Sequence, residues 1–265
     1  MSTPSTARPT AAEPPNAWLQ RWPARARRAA RLFCFPYAGV GPEVFFRWPA
    51  GLPARLEICA AQLPGHANRL HESAITNLDL IVEHLLRAIA PELDLPFAFF
   101  GHSMGAVLAF EVARVMAARS LPMPTYLIVS GRRPPHIPDI APPMHSLPDP
   151  EFVAEINRRY GGIPKEILDH QDVLALLLPG LRADITALET HHSPPSAPLP
   201  CAILAFGGAD DPLTPRAHLE AWRQATTGAF QIRTFAGGHF YLQTQRIELL
   251  AELSAKLATM LDTER

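Results

Sequence analysis

The chain has 265 residues, of which 48% are apolar and 18% charged, enough to bury a sizeable core and too apolar for global disorder. The 24 basic and 25 acidic side chains leave a formal net charge of −1, so there is no basic excess of the kind that holds nucleic acid by counterion release. No run approaches the ~18 apolar residues of a membrane helix, and Cys34, Cys59 and Cys201 are too few and too scattered for a disulfide framework or a zinc site. The expectation is a soluble, cytoplasmic protein with buried thiols.

Residues 1–16 are Ser, Thr, Pro and Ala in the main and read as a flexible tail, leaving one domain over 17–265. Short apolar runs then alternate with stretches of helical period. Arg31–Phe35 is a predicted strand ended by Pro36, and Leu56–Ala61 is a second, stopped by Leu63-Pro64-Gly65. Residues 78, 81, 82, 85, 86 and 89 are apolar, the spacing of one helix face, with Asn77 as its N-cap. Phe97–Phe100 is an all-apolar strand suited to the middle of a parallel sheet. A helix over Met104–Arg119 and a strand over Tyr126–Ser130 follow, then strands Ala202–Phe206 and Phe230–Phe235 around a helix Arg216–Thr226, and a closing helix from Ile247 to Leu261. This order implies an α/β fold with a mainly parallel sheet. The alternation breaks over about 136–196, where a proline-rich loop leads into helical segments Pro150–Arg159 and Gln171–Thr190, with breaks at Gly161-Gly162 and Pro179-Gly180. An insertion of this kind between two sheet strands is a candidate lid.

Gly101-His102-Ser103-Met104-Gly105 follows a predicted strand and opens a helix. A G-x-S-x-G turn in that setting lifts a serine hydroxyl above the sheet edge and aims the first amides of the helix at it. Ser103 is therefore the candidate nucleophile. A carboxylate is expected after the late strand Ala202–Phe206, where Asp210 and Asp211 stand side by side; the G-x-x-D-x-x-x-P spacing from Gly208 to Pro215 favours Asp211, leaving Asp210 to bind turn amides. Of 11 histidines only His239 directly follows the last strand, after two glycines, and it is the candidate base. The oxyanion donors are expected to be the amide of Met104 and one amide of Pro36-Tyr37-Ala38-Gly39, with Ala38 preferred over Tyr37. His102, His191 and His192 read as structural or surface residues.

Phe35-Pro36-Tyr37-Ala38-Gly39, Leu63-Pro64-Gly65-His66 with Arg69 and Glu72, Gly101–Gly105, Ser130-Gly131-Arg132, Leu181-Arg182-Ala183-Asp184 with Glu189, Gly207-Gly208 with Asp211, and Gly238-His239-Phe240 occur in this order. Together they resemble the motifs of type II thioesterases, the stand-alone editing enzymes of polyketide and nonribosomal peptide synthesis. The resemblance runs from about Trp18 to the C-terminus. It departs at Tyr37 and Val40, where histidine and glycine are usual, at His66 in place of arginine, and at His191 in place of tyrosine. It implies an α/β-hydrolase fold and hydrolysis of acyl thioesters from the phosphopantetheine arm of carrier domains, with no metal or dissociable cofactor. From the charge balance and the short apolar runs neither a nucleic acid nor a membrane partner is expected, and monomer is the expected state for the fold. Leu174, Leu176, Leu177 and Leu178 are candidates to line an acyl tunnel; Arg132, Arg133, Arg158, Arg159 and Lys165 are candidates for a basic patch facing the carrier.

Overall fold

A computed structural model describes residues 16–139, 141–193 and 196–261, so residues 1–15 of the expected tail lie outside the described residues. Asn16 is anchored: its side chain donates to the Ala88 carbonyl at 2.9 Å and accepts the Trp18 amide.

Seven strands form one sheet in the order β1-β3-β2-β4-β5-β6-β7. They are β1 (Leu19–Trp22), β2 (Ala30–Phe35), β3 (Leu56–Ala61), β4 (Phe97–His102), β5 (Tyr126–Ser130), β6 (Ala202–Gly208) and β7 (Phe230–Phe235). β1 pairs antiparallel with β3, and every other pairing is parallel. β2, β3 and β4 are buried along their whole length, as strands covered on both faces are. Edge-on contacts of Phe33 with Phe97 and Phe99, and of Phe35 with Phe99, lock β2 to β4 on one face.

The helices are α1 (Leu78–Ile89), α2 (Met104–Ala118), α3 (Asp149–Tyr160), α4 (Lys165–Leu168), α5 (Gln171–Thr190), α6 (Arg216–Ala221), α7 (Tyr241–Thr244) and α8 (Arg246–Leu261). Asn77 caps α1 by accepting the Leu80 amide at 2.8 Å. α1 and α2 pack on one face of the sheet, and α8 covers the other with Phe45 and Trp48. Among the described residues no helix is long and apolar enough to cross a membrane.

The chain winds from β2 outward to β3, then crosses back to β4 on the opposite side of β2. The crevice of an open α/β sheet forms at this reversal, beyond the carboxyl ends of the two strands. In register, Phe35 of β2 faces Gly101 of β4, His102 faces Ser130 of β5, and Gly208 of β6 faces Phe235 of β7. The loops after β2, β4, β6 and β7 therefore leave from one edge.

Three expectations change. β1 is a strand the sequence pattern did not single out. The predicted helix over Arg216–Thr226 is α6 followed by a 3-10 turn, Trp222–Ala225. α5 runs through Pro179-Gly180 instead of breaking there. Proline removes one helical donor, but Gly180 lies so close to the Gly65 carbonyl that a Cβ would stand 2.7 Å from it. Packing holds the helix through the interruption.

The segment between β5 and β6 carries α3, α4 and α5 and has a small core of its own: Met144, Phe152, Ile156, Leu178 and Ile185. Arg182 ties it together. Its guanidinium donates to the His145 and Leu147 carbonyls and to Asp149, and lies 4.1 Å over the Phe152 ring. Glu189 accepts the Met144 and His145 amides from the same loop.

Candidate active site

Ser103 has φ +54° and ψ −115°, a conformation that L-residues rarely hold. The flanking glycines make it possible. A Cβ on Gly101 would lie 2.0 Å from the Gly105 carbonyl oxygen, and one on Gly105 would lie 2.0 Å from the Phe35 carbonyl oxygen. The turn is pinned further by the Ser103 amide, which donates to the Ser130 carbonyl at 2.8 Å. Ser103 is 6% exposed and opens onto an apolar cavity of about 110 Å³ that His239 also lines.

His239 stands after β7 on a loop with Gly237 at φ +100°. Gly208 allows that loop to close on β6, since a Cβ there would meet the Gly238 carbonyl oxygen at 2.4 Å. Nδ1 of His239 is 2.8 Å from Oδ2 of Asp211, and both side chains are buried. Nε2 of His239 is buried and has no hydrogen-bond partner among the described residues. The contact with Asp211 fixes the ring so that Nε2 is the nitrogen left for chemistry. Oδ1 of Asp211 accepts the Leu213 amide at 3.0 Å. Asp210 is exposed; the turn amide assigned to it from sequence is taken by Asp211 itself.

The amide of Met104 is the first of α2 and has no intrahelical partner. Ala38 lines the same cavity, and its amide finds no acceptor among the described residues. The next amide, of Gly39, donates to Asp184 Oδ2 at 2.8 Å. Ser103, Asp211, His239, Ala38 and Met104 are thus gathered at one sheet edge.

His102, which the sequence left as structural, supports the turn from behind. It is fully buried, and Nδ1 is 2.8 Å from Ser130 Oγ, which is 2.5 Å from the Tyr241 hydroxyl. Burial, and after it the neighbouring His239 imidazole, push His102 well below the ordinary histidine range, so its ring is neutral.

Much of the cavity wall comes from the insertion, with Tyr37, Val40 and Phe240 completing it. Leu174, Leu177, Leu178 and Leu181 of α5 line it with Ile156 and Tyr160 of α3. Leu176, grouped with them from sequence, is 52% exposed on the outer face of α5. A larger cavity, about 420 Å³, lies across Tyr160 but holds neither Ser103 nor His239.

The basic patch expected near the insertion is mostly neutralised. Arg158 and Arg159 share Glu155, Lys165 pairs with Asp169, and Arg133 pairs with Asp139. The Arg159 side chain is 7% exposed and also donates to the Pro142 carbonyl.

Residues 30–257 match the family model described as "Thioesterase domain". The chain is 38% identical over 246 residues to the gramicidin S biosynthesis protein GrsT of Aneurinibacillus migulanus, covering 93% of this chain and 96% of that one. It is 39% identical over 242 residues to thioesterase PikA5 of Streptomyces venezuelae, covering 91% and 85%. Among solved structures, the type II thioesterase BorB of the borrelidin cluster superposes with a TM-score of 0.83 at 33% identity, covering 91% of this chain and 98% of that one.

Proposed function

The chain belongs to the thioesterase family, and on that premise we propose that it is a stand-alone type II thioesterase. It hydrolyses stalled or wrongly loaded acyl groups from the phosphopantetheine thiol of carrier domains in a polyketide or nonribosomal peptide synthase. The observation that carries the reading is the buried His239–Asp211 pair, with the free Nε2 of His239 in the same cavity as Ser103.

In this scheme Ser103 Oγ attacks the thioester carbonyl carbon while His239 Nε2 takes its proton. The oxygen of the tetrahedral intermediate gains negative charge, and the amides of Ala38 and Met104 hold it. The C–S bond breaks, and His239 returns the proton to the departing sulfur. Water then loses a proton to His239 and attacks the acyl-serine carbonyl, and Ser103 Oγ leaves as the hydroxyl. Asp211 keeps the imidazole in the required tautomer and stabilises its charged form. The insertion over about 136–196 is the lid, and its apolar face holds the acyl chain. The reading needs no metal or dissociable cofactor, and it places the enzyme in the cytoplasm beside its synthase, acting as a monomer.

The test is release of acyl groups from an acylated carrier protein. Ser103→Ala is expected to lower the rate by at least about 10³-fold, with the fold intact. Equal release by wild type and Ser103→Ala sinks the reading. Strong preference for oxygen esters over carrier-bound thioesters would instead mark a general carboxylesterase of the same fold.

A further inference from the structure

A buried histidine–carboxylate contact lies behind the loop that follows β2, and the hydrolytic scheme does not use it. Asp184 of α5 is 2% exposed, and its Oδ2 accepts the Gly39 amide at 2.8 Å. The same oxygen is 2.9 Å from Nε2 of His66. This is an ion-pair contact, off the axis of a well-aligned hydrogen bond. On the other side of the ring, Nδ1 of His66 is 3.1 Å from the Pro64 carbonyl oxygen.

A carbonyl and a carboxylate only accept, so each ring nitrogen of His66 needs its own proton. Either neutral tautomer would turn a lone pair on an oxygen. The imidazolium is the one state that suits both contacts. Burial works against the charged ring, but the Asp184 carboxylate, helped by the Pro64 carbonyl and the charge of Glu43, outweighs it and holds His66 above its ordinary 6.5. The charged groups facing His66 are Asp184 from α5 and Glu43 from the 3-10 turn Pro42–Phe45.

α5 grips both loops through neighbouring positions. At Gly39, φ +82°, an added Cβ would lie 2.8 Å from Leu181 Cδ1. At Gly180 an added Cβ would lie 2.7 Å from the Gly65 carbonyl oxygen and 3.3 Å from His66 Nε2. Asp184, one turn beyond, supplies the only side-chain oxygen that holds the Gly39 amide among the described residues.

We propose that His66 and Asp184 are positioning residues for the oxyanion loop. The protonated imidazole holds the Asp184 carboxylate, the carboxylate holds the Gly39 amide, and the preceding amide of Ala38 is thereby aimed at the reacting carbonyl. The inference rests on the reading of Ala38 as an oxyanion donor. It gives kcat a descending limb on the alkaline side. As pH rises through the raised pKa of His66, the ring loses a proton, one of its two contacts becomes repulsive, and the loop loosens. The pair's contribution to stability has the same sign, being full below ~6.5 and lost as pH rises through the folded value.

The experiment is kcat and KM for a soluble acyl thioester from pH 6 to 10, for wild type, His66→Arg, Asp184→Asn and Ser103→Ala. Wild-type kcat is expected to fall above the His66 transition with KM unchanged. His66→Arg keeps its charge throughout, so it retains neutral-pH activity and loses that limb. Asp184→Asn is expected to lower kcat by about 10- to 100-fold at every pH, with KM within about threefold and no limb from His66. Nitrogen NMR of wild-type His66 serves if the arginine variant does not fold. Both ring nitrogens should be protonated at pH 7, with loss of one proton tracking the fall in kcat. A neutral His66 at pH 7, or an Asp184→Asn enzyme with wild-type kcat and pH profile, overturns the proposal. Activity surviving in Ser103→Ala would instead overturn the hydrolase reading beneath it.

Discussion

Asp211 shows how much one carboxylate is asked to do. One oxygen orients His239 and the other caps its own turn through the Leu213 amide. Asp211→Asn keeps the shape but reverses the hydrogen-bond preference toward Nδ1, and kcat is expected to drop by about 10⁴-fold with little change in melting temperature. A loss under tenfold in a thioester assay would mean that Asp211 does not set the tautomer. His102 gives a second, independent prediction. Its folded pKa is depressed, so the native state takes up no proton there while the unfolded chain does so below ~6.5. Stability is therefore held above that pH and lost on acidification, at up to about 1.4 kcal/mol per pH unit. Urea unfolding at pH 7.5 and 5.5 should show a steeper acid loss for wild type than for His102→Asn; parallel losses would count against a neutral ring. The candidates Ser103, Asp211 and His239 were legible in the sequence because each follows a strand within a local pattern of glycines. His66 and Asp184 were visible only as letters of motifs. Their meeting depends on a helix packing across two loops, and no local spacing encodes it.

At the scale of elements, strands and long helices followed from periodicity, and most boundaries agree to within a residue or two. β1 escaped because a four-residue edge strand, Leu19-Gln20-Arg21-Trp22, has too little alternation to stand out and forms through its pairing with β3. Leu176 was misassigned because a run of leucines hides which of them faces inward. Positions 174, 177, 178, 181, 185 and 188 make the cavity stripe, and 176 falls opposite. The insertion owes its shape to Arg182, which satisfies two carbonyls and Asp149 while covering the Phe152 ring. Arg182→Ala is expected to destabilise the insertion by about 1–3 kcal/mol. Hydrogen exchange should then quicken over residues 144–152 while β4 and β5 exchange as before. Unchanged protection there would show that the small apolar core suffices alone.

Across the whole molecule the candidate active site and a buried charge cluster around Arg31 lie at opposite ends of the sheet. Arg31, the second residue of β2, is 2% exposed and contacts Glu57 of the neighbouring strand at 2.7 Å, and Glu92 and Asp94 as well. Arg31→Met leaves Glu57 buried without its nearest cation and is expected to cost about 3–5 kcal/mol of stability. The folded fraction should keep kcat within about twofold, since Ser103 is at the far end of the strands. A variant with the wild-type unfolding midpoint would mean that Arg28 and Arg21, which also reach Glu57, suffice to compensate.

Much of the wall of the acyl cavity and the proposed catalytic groups are drawn from separate stretches of chain: the segment from α3 to α5 supplies most of the one, with Tyr37, Val40 and Phe240 added, and the turns after β2, β4, β6 and β7 supply the other. A lineage can thus retailor which cargo it accepts by drifting in α3 and the outer turns of α5, leaving the cutting apparatus untouched. A polar stitch between the two is the carboxylate at 184 on the Gly39 amide, beside the close packing of Leu181 on Gly39, and such drift is not free to discard it.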